Sequence, residues 1–394
     1  MKVALLGIGG LGRILALELA ADRRVTELVL VDKKGDRSRA LKSIGRSAAI
    51  TPLQADVGRK ETLRPILSGV DVAVNATLPE NNLAVMAACL DAGCGYVDGA
   101  GLSPVASGEK PGVLHQLLLD DAWKARGCTA IVSMGSDPGL SNIMARAAAD
   151  RLKTVDEIRV LKGASGGGET QGYPLYSREI FLRDAVSPPT VWESGQLVAR
   201  PFVGEEEDYA FPEPVGKRHV YLFYHEEVIT LPLRLGKPVA RVCYKHDINP
   251  ELVRSVLALD ALGLLAPDKK VKIGVSRGLF RDAFLATFPE PSTLIGPLTG
   301  TMAIVVEARG TRPDGTRGIV RGSIILDHRE ANRRRGTTAE RLLTAAVASA
   351  GVMLIHEKKV PRAGVLAPEE LAPEALLPAL EARGVRFVLE DVAG

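Results

Sequence analysis

The sequence predicts an α/β fold: an N-terminal Rossmann doubly wound parallel sheet, followed by a second, mixed α+β domain. Three observations predict it. Apolar strand-like runs alternate with alanine- and leucine-rich helical stretches through roughly the first 135 residues, the rhythm of a parallel sheet covered on both faces. The first of those runs breaks into a glycine turn, GIGGLG, and a helical pattern starts at once. From about Glu157 the texture changes to glycine- and proline-rich loops between isolated β-like pieces.

Taken in order, KVALLG, ELVLVD, DVAVNA, GYVDGA and TAIVSM read as strands of the first sheet, and LQADV marks a further strand end. In the second part, GASGGGETQGYP, SPPTVW and FPEPVG are loops, while HVYLFY, AIVVEARG and GIVRGSIILD are β-like. The stretch TTAERLLTAAVASAG predicts one long helix, capped by Thr337 or Thr338 and closing at Gly351. Being apolar on more than one face, it should pack back between the domains. The expected boundaries are 1–140, 141–336 and 337–394, which the chain of 394 residues, 46% hydrophobic, is long enough to fill with cores.

Composition excludes several classes. A formal charge of +3 from 50 basic and 47 acidic side chains gives no field to gather nucleic acid or an anionic membrane. The basic run Arg333, Arg334, Arg335 reads as a solvated helix approach. Cys89, Cys94, Cys128 and Cys243 lack C-x-x-C spacing, against a zinc knuckle or a disulfide framework. No metal is expected, and a cytoplasmic location fits best. The N-terminus enters a strand without a charged leader or h-region, so secretion is not expected. LLTAAVASAGVMLI, at 342–355, is too short to span a bilayer and reads as a packed helix.

Gly7, Gly9 and Gly12 satisfy G-x-G-x-x-G after a strand, with Gly10 and Leu11 inside the turn. Such glycines allow a tight turn, close approach of backbone to pyrophosphate and close helix packing, and the helix start offers N–H donors to the anion. Asp32 ends the second strand, where a carboxylate takes ribose hydroxyls and repels a 2′-phosphate. NAD is therefore expected, with NADP possible through Lys33, Lys34, Arg37 and Arg39 if Asp32 turns away. Asp56 is placed to touch adenine, Asn75, Ala76 and Thr77 to run past the ribose and nicotinamide, and Asp98 to end the next strand. In MGSDPGLSN, Asp137 is read as a helix N-cap and Pro138 as its first residue, with the turn aimed into the interdomain cleft.

The segments GIGGLG, VNATLPENNLAVMAACLDAGCGYVDGAG, MGSDPGLSNIMA, GVLAPEEL and LLPALEARGVRFVLED together resemble the saccharopine dehydrogenase-like reductases, in particular the lysine 6-dehydrogenase branch. The resemblance spans nearly the whole chain and is thinnest from 163 to 235. It implies a second domain that is both catalytic and dimer-forming, and nicotinamide-dependent interconversion of an amine and an imine, with oxidative deamination of L-lysine foremost. The Asp-Pro-Gly turn is shared with carboxynorspermidine-forming relatives. A saccharopine- or carboxynorspermidine-type reductase that condenses amine with aldehyde is therefore the alternative. An alternative of another class is a non-catalytic nucleotide-sensing module.

Oxidising an amine needs a free nitrogen lone pair, so a neighbouring group must accept a proton, and histidine or a depressed lysine suits best. YHEEVITLP and CYKHDINPE supply His225, Glu226, Lys245, His246 and Asp247 as candidates. Tyr173 is a candidate for substrate contact, and Arg178 for bidentate pairing with an amino-acid carboxylate. Ser141 and Asn142 would serve that carboxylate or the nicotinamide amide.

Overall fold

The computed structural model describes residues 1–44, 48–102, 112–166, 173–288 and 298–392. Strands β1 (Lys2–Leu6), β2 (Glu27–Asp32), β3 (Ala49–Gln54), β4 (Val72–Asn75), β5 (Gly95–Asp98) and β6 (Thr129–Ile131) form a parallel sheet ordered β3-β2-β1-β4-β5-β6. β1 and β2 are almost wholly buried because helices cover both faces, which is why they read as continuous apolar runs. β3 sits at the edge, half-buried and interrupted by Pro52. Between β1 and β4 the strand order reverses, opening a crevice at the C-terminal strand ends.

The second sheet is built from β7 (Thr154–Ser165), β8 (Thr190–Glu193), β9 (Gln196–Ala199), β10 (Glu207–Ala210), β11 (Lys217–Leu222) and β12 (Val239–His246). A separate hairpin, β13 (Lys270–Ile273) and β14 (Ser276–Leu279), precedes the long pair β15 (Thr301–Thr311) and β16 (Arg317–Asp327). β17 (Gly364–Leu366) returns to the first sheet beside β6, while β18 (Val388–Val392) closes the second beside β16. The order β10-β11-β12-β7-β15-β16-β18, with β8 and β9 attached at β12, is mixed: β12 and β7 run parallel and the other pairs antiparallel. The segment after 336 is thus shared between the two sheets.

Register decides which side chains reach the cleft. Lys162 on β7 stands opposite His246 on β12 and Ile304 on β15, so the three project from one face. Lys245 stands opposite Leu161 and projects from the other.

The predicted long helix is Ala339–His356, with the Thr338 hydroxyl accepting from the Arg341 amide at 3.3 Å. It runs past Gly351, where a Cβ would come 3.0 Å from Met134 Cγ, so that glycine serves close packing rather than termination. By length and composition the helix could cross a bilayer, but its residues are mostly buried inside the protein. It lies against helix Gly10–Ala21, β4 and β5, and only its first turns reach the interdomain cleft. The basic run before it is only partly solvated. Arg333 is an exposed partner of Glu330, whereas Arg335 pairs with Glu18 at 2.5 Å and Arg334 donates to the Arg383 carbonyl at 2.6 Å.

Candidate active site

A cleft of about 790 Å³ runs from the C-terminal ends of β1, β2 and β4, past the turn after β6, to the inward face of β7 and β12. Its first half is a cradle. Gly7 has φ +92°, and a Cβ on Gly12 would lie 1.9 Å from the Gly7 carbonyl oxygen, so only glycine lets the helix meet the turn this closely. A Cβ on Gly9 would meet no atom of the described residues within 4 Å, leaving its backbone open to the cleft, and Gly10 and Leu11 also line the wall. These features fit the pyrophosphate of a dinucleotide.

Asp32 lies at the end of this cradle, but its carboxylate is already engaged. Oδ2 accepts from the Ile8 amide and Oδ1 from the Lys34 amide, both at 2.7 Å, which ties the glycine turn to β2. Lys33, Lys34 and Arg37 line the same end. Asp56 is also on the wall, accepting from the Gly58 amide at 3.1 Å and facing Lys33 at 3.7 Å. Ala76 and Thr77 line the middle, held by Asn75, which accepts from the Thr77 hydroxyl at 2.6 Å and donates to Asn82 at 2.9 Å. Asp98 is not part of the wall. It is buried behind Gly99 and Gly101, taking the Ser133 amide at 2.7 Å, Tyr96 at 2.8 Å and Gln116 at 2.6 Å. Burial raises its pKa to about 6, against the pull of those donors.

The turn after β6 corrects one expectation. The helix begins at Leu140, not Pro138; its N-cap is Gly139 at φ +128°, where a Cβ would meet the Gly135 carbonyl oxygen at 2.1 Å. The Asp137–Pro138 peptide is cis, and the Asp137 carboxylate turns into the cleft instead of capping. Ser141 and Asn142 are likewise corrected: both are fully buried behind the turn. Ser141 donates to Glu227 at 2.6 Å, and Asn142 accepts from the Gly139 amide at 2.9 Å while donating to Thr230 and Glu369, both at 3.0 Å.

Across the cleft, Asp137 meets the second sheet. The Tyr244 hydroxyl donates to it at 2.6 Å and the Lys162 ammonium at 3.1 Å; that ammonium also reaches Glu340, on the return helix, at 2.6 Å. Burial disfavours the charge on Lys162, but the two carboxylates overcome it and hold its pKa well above the usual range. Asp137 is held low for the converse reason: Lys162 and His225 outweigh its desolvation. His225 lies flat on Tyr244, ring centroids 3.9 Å apart, with Nε2 3.9 Å from Asp137 and Nδ1 in a short hydrogen bond to Glu227. Desolvation lowers its pKa, but Glu227 and then Asp137 lift it to about 9. Glu226, next in sequence, lines the cleft too, accepting from the Ser133 hydroxyl at 2.5 Å and the Gly101 amide at 2.7 Å, and burial pushes it up to about 7.

The other candidates separate. His246 is on the cleft wall, with Nδ1 3.2 Å from Asp247. Asp247 sits below, fixed by the Ala164 amide at 2.8 Å and Arg218 at 2.9 Å. Lys245 is corrected: strand alternation turns it away, where its ammonium is held by the Glu205 carbonyl and Glu207, both at 2.6 Å. Arg178 lines the cleft with its guanidinium donating to the Leu285 carbonyl at 2.9 Å. Tyr173 stands in a small annex behind Lys162 and His246, edge-on to Phe288.

Sequence reasoning missed Lys162, Tyr244, Glu227, Glu340 and Arg341. Lys162 interrupts an apolar strand (RVLKGAS), and Tyr244 is two residues before His246, a spacing that shares a strand face. Glu340 and Arg341 announce themselves only through contacts distant in sequence, and Glu227 through its bond to His225, two residues before it.

Comparisons with known proteins agree with this architecture. Residues 3–131 match the family model "Saccharopine dehydrogenase NADP binding domain", and residues 135–385 match "Saccharopine dehydrogenase C-terminal domain". The chain is 26% identical to a carboxyaminopropylagmatine dehydrogenase from Synechocystis sp., over 98% of this chain and 96% of that one. It is 23% identical to a carboxynorspermidine synthase from Vibrio cholerae, over 98% and 96% respectively. Neither relative is named a lysine dehydrogenase. A saccharopine dehydrogenase (L-Glu forming) from Saccharomyces cerevisiae shares the fold, with a TM-score of 0.72 and 15% identity over 100% of both chains. With both family models matched in tandem across the glycine cradle and the cleft that faces it, the chain belongs to the saccharopine dehydrogenase family of NAD(P)-dependent oxidoreductases.

Proposed function

We propose that this enzyme uses NADPH to condense a primary amine with a carboxyl-bearing aldehyde and reduce the resulting imine to a secondary amine. One observation carries the reading: His225, raised to about 9 by its acidic neighbours, faces Asp137 on the wall shared with the glycine cradle. One of the two relatives is named a synthase, which supports the condensing direction. Carboxyaminopropylagmatine and carboxynorspermidine are, by name, both carboxyl-bearing amines.

When bound, the cofactor supplies the hydride. The chain supplies proton handling. His225 Nδ1 is fixed by Glu227, so Nε2 is the atom that exchanges protons with substrate. His225 enters charged, with a proton on Nε2, and the amine adds to the aldehyde carbon as its free base. Nε2–H then gives its proton to the carbinolamine hydroxyl, the C–O bond breaks, water leaves and the nitrogen lone pair forms C=N. Asp137, held ionised by Lys162, stabilises the cationic iminium and imidazolium forms. Arg178 and His246 face the same space and are assigned to the substrate carboxylate.

The sequence favoured NAD because of Asp32. Two observations support NADPH instead: both Asp32 oxygens are engaged by backbone amides, and Lys33, Lys34 and Arg37 gather at that end of the cleft. The matched domain is itself described as NADP binding. The four cysteines are buried free thiols, in keeping with a reducing compartment, and we take the cytoplasm as the site of action and a homodimer as the working form.

The test is NADPH oxidation with purified protein, pairing agmatine, short diamines or L-lysine with aspartate semialdehyde, the aldehyde whose imine on reduction leaves a carboxyaminopropyl arm on the amine. NADPH consumption that requires both partners supports the proposal. Reduction of NAD or NADP by L-lysine alone would replace it with oxidative deamination.

A further inference from the structure

The glycine turn contains one glycine more than its motif requires. Gly10 occupies a variable position of G-x-G-x-x-G, yet a Cβ there would lie 2.6 Å from Arg341 Cζ and 2.8 Å from each terminal guanidinium nitrogen. The Arg341 guanidinium therefore occupies the space of a Gly10 side chain, directly over the first residue of helix Gly10–Ala21. Arg341 is itself in the first turn of helix Ala339–His356. A cation at one helix start is opposed by that helix's dipole; this one stands at two. Such a placement is favourable when an anion shares the site, and both Gly10 and Arg341 line the cleft beside Gly7 and Gly9.

We propose that Arg341 is a ligand of the cofactor pyrophosphate, reaching the cradle from the far end of the chain and completing it opposite the Gly9 and Gly10 amides. The planar guanidinium fork suits two phosphate oxygens, which backbone amides alone grip from one side. Its neighbour Glu340 points the other way, to Lys162 at 2.6 Å, so one helix end touches both the cofactor cradle and the charge cluster around Asp137. The inference rests on the dinucleotide reading of the cradle, not on the choice between NADH and NADPH.

Calorimetric titration of NADPH and of NADH, without substrate, into unaltered protein, Arg341→Gln and Arg341→Lys tests it. A lost charge-assisted hydrogen-bond pair corresponds to roughly 10- to 100-fold weaker binding. The glutamine variant should lose that factor for both dinucleotides alike, its NADPH/NADH ratio unchanged. The lysine variant should recover part of the loss, and adenosine 2′-phosphate, which lacks the pyrophosphate, should bind all three proteins equally. Unchanged dinucleotide affinity in Arg341→Gln, or a loss confined to NADPH, would overturn the assignment. If Arg341→Gln melts early, the lysine variant decides, since it keeps the charge and the bulk: full affinity for both dinucleotides refutes the fork. Absence of binding to unaltered protein refutes the dinucleotide reading as well.

Discussion

Asp137, in the turn after β6 of the first sheet, and Lys162, on β7 of the second, meet at 3.1 Å in the cleft floor, with side chains almost sealed from solvent. The lysine is held on its other side by Glu340, so one ammonium neutralises two carboxylates in a place that water does not screen. Lys162→Met would leave both carboxylates without their shared cation. The expected loss is about 3–5 kcal/mol of stability, seen as an earlier thermal transition, together with loss of turnover. A variant that melts with the parent would show that the cluster is not a structural tie.

Turnover should depend on pH through His225. Its folded pKa of about 9 lies above the ordinary 6.5, so the stabilisation from the charged imidazole is complete below that lower value and is lost as pH rises through the upper one. For condensation, kcat/KM should fall on an alkaline limb near pH 9, where the proton needed to expel water is lost. Glu227→Gln removes the nearest source of the upward shift, and the limb should move down by roughly one to two pH units. A limb that stays in place separates Glu227 from the proton carrier.

On the proposed reading, cofactor choice is set at the other end of the cleft. Lys34→Ala and Arg37→Ala should weaken NADPH by about tenfold each while leaving NADH nearly unchanged, as expected for a charged partner of the 2′-phosphate. Parallel titrations of both dinucleotides read this directly; equal losses for the two would return the preference to NADH.

Adjacent residues on β12 should behave differently. His246→Ala removes a cleft side chain and should raise KM for the carboxyl-bearing partner by about tenfold, the scale of one charge-assisted hydrogen bond. Lys245→Ala removes a side chain on the opposite face and should leave kcat and KM within about twofold. Steady-state kinetics on the two variants check both, and a large kinetic loss from Lys245→Ala would contradict the strand register.

The parallel sheet was legible because its strands are covered on both faces and its fingerprint is local: Gly7, Gly9, Gly12 and Asp32 lie within one βαβ unit. β3 was visible only as the strand end LQADV, since an edge strand with one covered face carries a mixed pattern and Pro52 breaks it. The cleft was legible only in part. His225 and His246 stand out by residue type, but whether a strand residue faces inward depends on register, which separates His246 from its neighbour Lys245. Glu340 and Arg341 resemble any charged pair opening a helix; what distinguishes them is where the helix start is delivered. The Asp137 turn was read as a helix cap because side-chain type alone suggests one, whereas Gly139 holds the backbone angle that starts the helix.

The return of β17 to the first sheet has a consequence for biosynthesis. β6 lies beside β5 on one side and β17 on the other, and β17 is translated more than 230 residues later. Until then β6 is an open strand edge, and helix Gly10–Ala21 lacks the helix that buries its apolar side. The first sheet therefore gains its last strand only when residues 364–366 have emerged, although its other strands are encoded first. In the interval the uncovered edge of β6 is open to mispairing. The same linkage means that a premature stop or a C-terminal deletion removes structure from the beginning of the protein as well as from its end.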